Sequence, residues 1–432
     1  MGGAVVAGVA LAIACSDDSP TSVVDSGLPD ANQPVDSGKD TAPIPDAGVD
    51  AEPVDACTAN PCVTQVASGF LFECARLADQ SVRCWGSNAN GALGRPLVDA
   101  SSAAQPDAVT GLSNVVQIAA GFYHACALRS DNHVLCWGGN SSGQLGTNGA
   151  DAGNVVLAPT DITGIPGTIK SIHAGGYFTC AHLVDKRVFC WGDAAWGNLG
   201  GTLGDAGTFL PAVQRTPVEV TTLGTVEEVN AGDRYTCART TAGGVSCVGT
   251  NGFGQLGRGD AGVLANNANT AAPVVGLTGV TAVYESEAYH ACALAGGNVM
   301  CWGNNQGGQT GLPIDAGTAI QTPNQVNGLG AVADLSAGGL STCAVSSTGA
   351  LKCWGGNANG ELAIAPDAGA SFPSPVDISG VTNVVQVAVG HQTTCALILG
   401  GSVVCWGSNT QNELGRTPDS GVANHVPAPV AF

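Results

Sequence analysis

One unit of about fifty residues recurs seven times along this 432-residue chain, and this periodicity restricts the fold more than any other feature. Each unit contains a cysteine and, nine or ten residues later, a second cysteine. A Trp-Gly pair follows the second cysteine in six units, and Val248-Gly249 takes its place in the fourth. The first cysteines of successive units are 52, 54, 57, 55, 51 and 52 residues apart. That length suits a small sheet of four strands with its turns.

The local sequence of the units predicts β-strands. Residues 115–119 and 384–388 are short β-branched runs between turn residues. Between units lies a proline-led run, as at 216–220 and 374–378, and proline is tolerated at the edge of a sheet. The chain holds 63 Gly and 22 Pro, which is too many for a helical protein. We therefore expect an all-β protein made of seven small sheets.

The cysteines predict disulfides within each unit. A separation of nine or ten residues suits a tight hairpin, which places the two Cα atoms about 4.5–5.5 Å apart on adjacent strands. Each closed loop would stabilise the fold by about 2.8 kcal/mol in the chain-entropy model. Seven pairs of reduced cysteines are the alternative. The predicted pairs are Cys74–Cys84, Cys126–Cys136, Cys180–Cys190, Cys237–Cys247, Cys292–Cys301, Cys343–Cys353 and Cys395–Cys405, with Cys57–Cys62 closing a further small loop.

The residues that follow the second cysteine resemble the repeat of the regulator of chromosome condensation family. Residues 137–146 read Trp-Gly-Gly-Asn-Ser-Ser-Gly-Gln-Leu-Gly, close to that family's Trp-Gly-x-Asn-x-x-Gly-Gln-Leu-Gly. The resemblance covers about residues 63–432 and implies a seven-bladed β-propeller with four-stranded antiparallel blades. The paired cysteines depart from the family's pattern and fit an exported member.

The two ends of the repeat region suggest how the ring closes. Every internal unit follows a proline-led strand, but the first unit begins abruptly at Val63. The chain ends with an unmatched strand of that type at 426–432. We expect this C-terminal strand to complete the first blade, because closure removes a long exposed sheet edge.

The N-terminal 56 residues predict export and a tether. Residues 4–14 are apolar, which is too short for a membrane span but suits the core of a signal peptide, although no basic residue precedes them. We expect a signal peptide at 1–14, lipidation at Cys15, a disordered Asp/Pro-rich spacer at 15–56 and the propeller at 57–432. Cleavage without lipidation, or a different translation start, is the alternative. The protein would be an outer-membrane or cell-surface lipoprotein, or secreted.

Charge and composition exclude several classes of partner. The net charge is −20, so the chain lacks the basic surface that phosphate backbones require and we expect no nucleic-acid binding. The same charge disfavours binding to anionic lipid, which leaves a lipid anchor as the only membrane contact. Seventeen cysteines point to an oxidising compartment.

Two catalytic motifs are better explained as repeat turns. Residues 139–143 match the nucleophile elbow and residues 252–257 match a dinucleotide fingerprint, but neither precedes a predicted helix. His124 and His290 occupy the family's usual histidine position, where we expect a structural hydrogen bond. The six Cys-Trp-Gly tryptophans are expected to pack between blades, with sugar binding as the alternative. We expect no catalytic residue, cofactor or metal site.

An Asp-Ala-Gly tripeptide recurs in loops of the repeat region and in the spacer. One carboxylate per loop is too few for a calcium cage, so we interpret these loops as solvated turns, with calcium bridging between neighbouring loops as the alternative. In the repeat region the tripeptide occurs at 151–153, 205–207, 260–262, 315–317 and 367–369.

Trp196 and Phe253 are the predicted partner-binding residues. They occupy the same position of adjacent repeats, where the other repeats carry polar or small residues. Two aromatic side chains there would form an exposed apolar spot, unless both fold back onto their blades. The predicted function is non-catalytic binding of a protein or other macromolecule by a monomer at the bacterial cell surface. Nucleotide exchange on a small GTPase is not carried over from the family, because that role belongs to an intracellular setting.

Two other classes of function remain open from the sequence. An envelope hydrolase acting on glycans or peptides would need converging acids, for which Glu285 and Glu287 are the candidates. In this interpretation Glu287 replaces the glycine that the repeat usually carries. A structural surface component is the other alternative.

Overall fold

The computed structural model describes residues 57–96, 102–147, 155–200, 212–259, 268–286, 288–417 and 424–432. The predicted signal peptide, Cys15 and the predicted spacer lie outside these residues. Within the described ranges, no helix combines the length and apolar character that a membrane span requires.

The strands form seven four-stranded antiparallel sheets, the blades, and strand order within each blade follows chain order. The first strands line the centre of the ring: β1 (Val63–Ser68), β5 (Val115–Ala120), β9 (Ile169–Ala174), β13 (Val226–Ala231), β17 (Val280–Glu285), β21 (Val332–Gly338) and β25 (Val384–Val389). The second strands are β2 (Phe72–Leu77), β6 (His124–Arg129), β10 (Phe178–Leu183), β14 (Tyr235–Thr240), β18 (His290–Ala295), β22 (Ser341–Ser346) and β26 (Thr393–Ile398).

The third and fourth strands complete each blade. The third strands carry the Cys-Trp-Gly motif: β3 (Val82–Ser87), β7 (Val134–Gly139), β11 (Val188–Asp193), β15 (Val245–Gly249), β19 (Asn298–Asn304), β23 (Leu351–Gly356) and β27 (Ser402–Gly407). The outer strands are β4 (Ser102–Ala108), β8 (Val155–Asp161), β12 (Val213–Glu219), β16 (Ala268–Pro273), β20 (Ala319–Gln325), β24 (Ser371–Asp377) and β28 (Ala428–Pro429). Short 3₁₀ turns occur at Thr221–Leu223, Ile314–Ala316 and Pro366–Ala368.

The predicted seven-bladed propeller is confirmed, but the predicted closure of the ring is wrong. The C-terminal strand β28 pairs with β27 of its own blade, through Val404 with Pro429 and Cys405 with Ala428. The first blade is already complete with β4 as its outer strand. The proline-led strand therefore ends the repeat that precedes it, and none of the described strands is exchanged between the first and last blades.

Side-chain contacts, rather than a shared strand, join the first blade to the seventh and so close the ring. Val66 donates its backbone N–H to Oε1 of Gln386 at 2.9 Å, and Gln386 returns a bond from Nε2 to the carbonyl oxygen of Val66 at 3.2 Å. The ring of Phe432 contacts Trp85 edge-on, with centroids 5.6 Å apart. The last residues of the chain thus pack against the first blade although they pair with the seventh.

Amide clamps of this kind recur at the third residue of the inner strands. Gln65 exchanges two hydrogen bonds with the backbone of Ile118 in the next blade, at 2.9 and 3.0 Å. Gln117 does the same with Ile172, with both bonds at 2.8 Å. Each clamp satisfies buried backbone groups that lie beside a neighbouring sheet, and so it fixes the spacing of the blades.

The structure joins the cysteines in the eight predicted pairs. The Cα atoms of the seven blade pairs are 4.0–4.2 Å apart, slightly closer than expected, and those of Cys57 and Cys62 are 5.6 Å apart. Each blade pair links the second and third strands at directly opposed positions, such as Cys126 and Cys136. Eight pairs at disulfide distance are consistent with an extracellular protein.

The six tryptophans of the Cys-Trp-Gly motifs pack between blades, as predicted, and all six are fully buried. Each indole N–H donates to a carbonyl oxygen in the turn of the preceding blade, at 2.7–2.9 Å: Trp85 to Glu413, Trp137 to Ala92, Trp191 to Gln144, Trp302 to Gln255, Trp354 to Gln309 and Trp406 to Glu361. The indole therefore combines a large buried apolar surface with a satisfied polar group.

The prolines of the outer strands lie at irregular positions of the ladder. Opposite Cys84 and Gly86 the register of β4 shifts, from Asp107 to Ala103, and Pro106 lies within the shifted segment. The same shift accommodates Pro217 in β12. Proline fits there because it has no N–H to contribute and the outer edge needs none, which confirms the predicted edge strands.

Glu73 is a buried carboxyl at the boundary between the first and last blades. Its side chain is 0% exposed, and the hydroxyl of Thr393 in the seventh blade donates to its Oε1 at 2.7 Å. Burial raises the pKa of Glu73 to about 8, and the nearby carboxyl of Glu413 contributes to the increase.

Replacing Glu73 by glutamine is expected to flatten the pH dependence of stability between pH 5 and 8. The folded protein keeps a proton on Glu73 that the unfolded chain releases above its ordinary pKa of 4.5. The free energy of unfolding therefore falls as the pH rises through this window, by on the order of a few kcal/mol. Urea denaturation of Glu73→Gln at pH 5 and pH 8 measures the difference, with Asp315→Asn at an exposed carboxyl as control. Equal pH slopes in the wild type and Glu73→Gln would contradict the assignment.

Candidate functional site

The turns at one end of the propeller carry a series of aromatic side chains. These turns join the first to the second strand and the third to the fourth strand of each blade, so both types lie at the same end. We call this group the aromatic rim. All of its members are half-buried: Phe70, Phe122, Tyr123, Tyr177, Trp196, Phe253, Tyr289 and His391.

Contacts between rings run from blade to blade along the rim. Phe70 stacks on His391 with centroids 4.1 Å apart and contacts the edge of Phe122 at 5.3 Å. Phe122 in turn meets Tyr177 at 5.3 Å, and Tyr123 lies 5.9 Å from the same ring. The seventh, first, second and third blades therefore share one aromatic cluster, in which each ring restricts its neighbour.

Glycine allows these turns to approach one another closely. A β-carbon at Gly175 would collide with the carbonyl oxygen of Gly232 in the next blade, and one at Gly121 would collide with that of Gly175. The turns are also joined by backbone bonds of 3.2 Å, from Phe122 to Gly176 and from Gly176 to Gly232. The rim thus rests on a rigid scaffold rather than on free loops.

Trp196 and Phe253 both belong to the rim, but each packs against the turn of the following blade. The guanidinium of Arg234 lies 4.5 Å from the centroid of the Trp196 ring. Phe253 stacks on Tyr289, with centroids 5.4 Å apart and an angle of 23° between the rings. The two predicted residues are therefore half-buried supports of neighbouring side chains as well as surface aromatics.

Asp233 connects these two pairs. Its side chain is 4% exposed, its Oδ2 lies 3.7 Å from Nε of Arg234, and it accepts a hydrogen bond from the hydroxyl of Tyr289. Burial raises the pKa of Asp233, which Tyr289 and Arg234 partly offset. Burial also raises the pKa of Tyr289, and the bond to Asp233 adds to it. The carboxyl of Asp233 thus positions both the hydroxyl of Tyr289 and the guanidinium of Arg234.

The two catalytic motifs form repeat turns, as expected. Residues 140–143 and 252–257 lie in the turn that follows the third strand, Gly139 ends β7, and the described residues of these two turns, up to 147 and 259, contain no helix. The carbonyl oxygens of Gln144 and Gln255 in these turns accept the indole N–H groups of Trp191 and Trp302. Their geometry serves packing between blades.

His124 and His290 make the structural hydrogen bonds that were predicted. Their Nε2 atoms lie 2.9 Å from the hydroxyl oxygens of Thr179 and Thr342, each in the next blade. Both rings are 0% exposed, and burial lowers their pKa to about 3. They are neutral links between blades at ordinary pH.

Glu285, a candidate acid for a hydrolase, ends the inner strand β17, and burial raises its pKa well above the ordinary value. Glu287 lies outside the described residues. The expectation that Glu287 replaces the usual glycine is wrong, because Ser286 takes that place: its N–H donates to the carbonyl of His290 as Gly121 donates to His124. Ser286 and His290 are hydrogen-bonded at 2.7 Å but are 1% and 0% exposed, so this pair is closed to a substrate.

The central channel is lined by two kinds of side chain. Alanines alternate with polar groups around the channel, and some of the polar groups bond to each other, since His173 lies 3.1 Å from Asn230 and 3.0 Å from Ser171. The alanines are Ala67, Ala119, Ala120, Ala174, Ala231, Ala337 and Ala388. The polar groups thus serve the packing of the inner strands.

The recurring Asp-Ala-Gly loops are described at two of their five places. Asp315 and Asp367 lie in exposed 3₁₀ turns, as predicted for solvated turns. The tripeptides at 151–153, 205–207 and 260–262 lie outside the described residues. Among the described residues, no three His, Cys, Asp or Glu side chains are arranged to hold a metal ion.

Most of the aromatic rim was not predicted from the sequence. Phe70, Phe122, Tyr123 and Tyr177 lie one or two residues after the glycine that directly follows the inner strand. Their recurrence in three consecutive repeats is the signal that would have located them, because equivalent turns of adjacent blades lie side by side in a propeller.

Family profiles match the repeats at both ends of the propeller. Two profiles carry the description "Regulator of chromosome condensation (RCC1) repeat". One matches residues 63–92, 115–144, 332–361 and 384–413, and the other matches residues 81–128, 131–182 and 349–397.

Curated relatives share the repeats but are longer proteins. The human E3 ubiquitin-protein ligase HERC2 is 26% identical over 313 residues, which are 70% of this chain and 6% of HERC2. The probable human E3 ubiquitin-protein ligase HERC6 is 29% identical over 78% of this chain and 26% of its own length. The ultraviolet-B receptor UVR8 of Arabidopsis thaliana is 29% identical over 62% of this chain and 59% of UVR8. The chain therefore spans less than two thirds of each.

Solved structures share the architecture. Prp20p from Saccharomyces cerevisiae superposes with a TM-score of 0.70 at 21% identity, covering 86% of this chain and 88% of Prp20p. Human WBSCR16 superposes with a TM-score of 0.68 at 20% identity, covering 82% and 94%. At these identities the likeness shows the fold alone. The chain is a seven-bladed β-propeller in which residues 63–182 and 332–413 match regulator of chromosome condensation repeats.

Proposed function

We propose that this chain is a non-catalytic protein-binding or scaffold module displayed at the bacterial cell surface. The aromatic rim is the observation that carries the proposal. Phenylalanine, tyrosine, tryptophan and arginine are the side chains enriched at the centres of protein interfaces. Here they lie on the turns of five consecutive blades at one end of the propeller, where they contact one another across the boundaries between blades.

The packing of the rings favours a protein over a saccharide as the ligand. Phe70 stacks on His391, Phe253 stacks on Tyr289, and Arg234 covers one face of Trp196. These contacts occupy ring faces on which a sugar would stack, and they leave ring edges, hydroxyls and a guanidinium to meet a partner. Prp20p, which shares the fold, has been characterised for its binding to Gsp1p and histones. A propeller of this type is therefore suited to binding proteins.

Display at the cell surface is supported by the cysteines and by the N-terminal sequence. Disulfides in every blade fit an oxidising compartment. The apolar run at 4–14, the lipidation candidate Cys15 and the acidic spacer at 15–56 would together place the propeller at a distance from a membrane. Comparing the mass of the mature N-terminal peptide with and without a diacylglycerol group tests this part.

Removing two rings of the rim is expected to weaken partner binding strongly. The double variant Phe122→Ala/Tyr177→Ala should lower affinity by about thirtyfold or more, because the loss of even one central aromatic residue costs a protein interface about 2 kcal/mol or more. The protein, immobilised in oxidised form, would be probed with envelope and culture-supernatant extracts, and the affinity of each recovered protein measured by surface plasmon resonance.

The matched control lies at the opposite end of the propeller. Val184 and Leu399 are 61% and 56% exposed in turns between second and third strands. The variant Val184→Ala/Leu399→Ala should bind as the wild type does, and Trp196→Ala/Phe253→Ala should bind less well. A rim variant that folds normally and keeps full affinity would overturn the assignment of this face.

A further inference from the structure

Arg234 lies beside Trp196 of the aromatic rim, in the turn between β13 and β14. Its side chain is 34% exposed, although two neighbouring groups contact it and a third, Tyr289, bonds to one of these two. Trp196 of the preceding blade lies under the guanidinium at 4.5 Å. Asp233 lies beside Nε at 3.7 Å. The guanidinium is therefore fixed before any partner arrives.

The third neighbour, Tyr289, is held at a conformational cost. Its φ of 65° is in the left-handed region, which a bulky residue rarely adopts. The turn that carries it is one residue longer than in the other blades, since Tyr284 pairs with Cys292 whereas Asn230 pairs with Cys237. Tyr289 uses this position to bond to Asp233 and to stack on Phe253. Strain of this kind is concentrated at functional sites.

The guanidinium has no hydrogen-bond acceptor of its own. Among the described residues, no side-chain or backbone oxygen accepts a hydrogen bond from Arg234, and its Nε is buried without one. An arginine presents five N–H donors in a planar fork that matches the two oxygens of a carboxylate. A fork that is already oriented loses little entropy on binding.

A second stacked arginine, at the other end of the propeller, shows the contrast. Arg187 lies 5.3 Å from the centroid of the Phe189 ring, but its donors are used within the chain. Its Nε and one terminal nitrogen bond to Asp185 at 2.9 and 2.8 Å, and Glu219 lies 3.6 Å away. Arg187 and Arg234 thus both stack on an aromatic ring, but only the guanidinium of Arg234 keeps N–H donors without an acceptor in the described part of the chain.

We propose that Arg234 binds the carboxylate of an aspartate or glutamate side chain of the protein partner. The inference rests on the proposed function, since it assigns the chemistry of one contact at the aromatic rim. A chain with a net charge of −20 repels acidic proteins as a whole. The contact therefore fixes the orientation of a partner that places a single acid among apolar residues.

A random peptide library displayed on phage supplies the probe, selected against the full oxidised chain. Peptides that compete with one another at the rim are expected to share one aspartate or glutamate. Replacing this acid by the corresponding amide should lower affinity about tenfold or more. Arg234→Gln should cause the same loss for the acidic peptide and no further loss for the amide peptide, whereas Arg234→Lys should restore binding only in part.

Arg187→Gln is the matched control and should leave peptide affinity unchanged. Thermal unfolding of each variant shows whether the propeller is intact. Rim-directed peptides without a shared acid, or equal losses for acidic and amide peptides in Arg234→Gln, would overturn this inference and leave the proposed function standing. If the selected peptides bind the Phe122→Ala/Tyr177→Ala variant with the same affinity as the wild type, the proposed function is overturned as well.

Discussion

Reduction of the disulfides is expected to unfold the propeller under conditions in which the oxidised protein remains folded. Each of the seven blade disulfides closes a loop between opposed residues of one hairpin, and each contributes about 2.8 kcal/mol in the chain-entropy model. Domains have a net stability of about 5–15 kcal/mol, so the loss of several such contributions exceeds it. Urea unfolding followed by circular dichroism, with and without a phosphine reductant, measures the shift of the midpoint.

A single pair provides the quantitative control. The variant Cys126→Ala/Cys136→Ala should lower the free energy of unfolding by about 3 kcal/mol, because it removes one loop closure and leaves the disulfides of the other blades intact. The effect should stay local, since every blade disulfide lies within its own hairpin. Identical unfolding midpoints for reduced and oxidised protein would contradict a stabilising role for the cysteine pairs.

Replacing Trp302 by alanine is expected to lower the free energy of unfolding by about 3–5 kcal/mol. The indole is fully buried between two blades, and truncation of such a side chain removes its packing and leaves a cavity. The change also leaves the carbonyl oxygen of Gln255 without its partner, which costs about 1–3 kcal/mol on its own in a buried position. Urea denaturation gives the size of the loss.

Two variants separate these contributions. Trp302→Phe keeps a ring in the cavity but removes the N–H donor, so its loss should be smaller than that of Trp302→Ala. Trp196→Ala removes the half-buried tryptophan of the rim and should change the stability of the fold little. A Trp302→Ala variant as stable as Trp196→Ala would contradict the role of the tryptophans in joining the blades.

The seven repeats made the propeller fold predictable from the sequence. The blade that the C-terminal strand joins was not predictable in this way. Seven cysteine hairpins fix seven sheets, and Trp-Gly after the second cysteine marks the residue that packs between them. A proline-led strand between two repeats, however, can pair with either of them. Only the observed register, in which Asp107 pairs with Cys84, assigns it to the preceding blade and places the last strand in the seventh.

The candidate site was predictable only in part, for a different reason. Trp196 and Phe253 were visible because they differ from the residues at the same position of other repeats. The partners on which they pack, Arg234 and Tyr289, belong to the next blade and are 38 and 36 residues distant in sequence. Contacts between turns of adjacent blades form only when the blades close into a ring, so no local sequence pattern predicts them.

Photo-cross-linking from the rim tests the central claim most directly. A benzophenone amino acid would be placed at Tyr123 in the aromatic rim, or at Leu399 in an exposed turn at the opposite end. After illumination with envelope and culture-supernatant extracts, we expect a discrete covalent protein adduct from position 123 and none from position 399. An adduct formed only from position 399, with the propeller intact, would contradict the aromatic rim as the binding face.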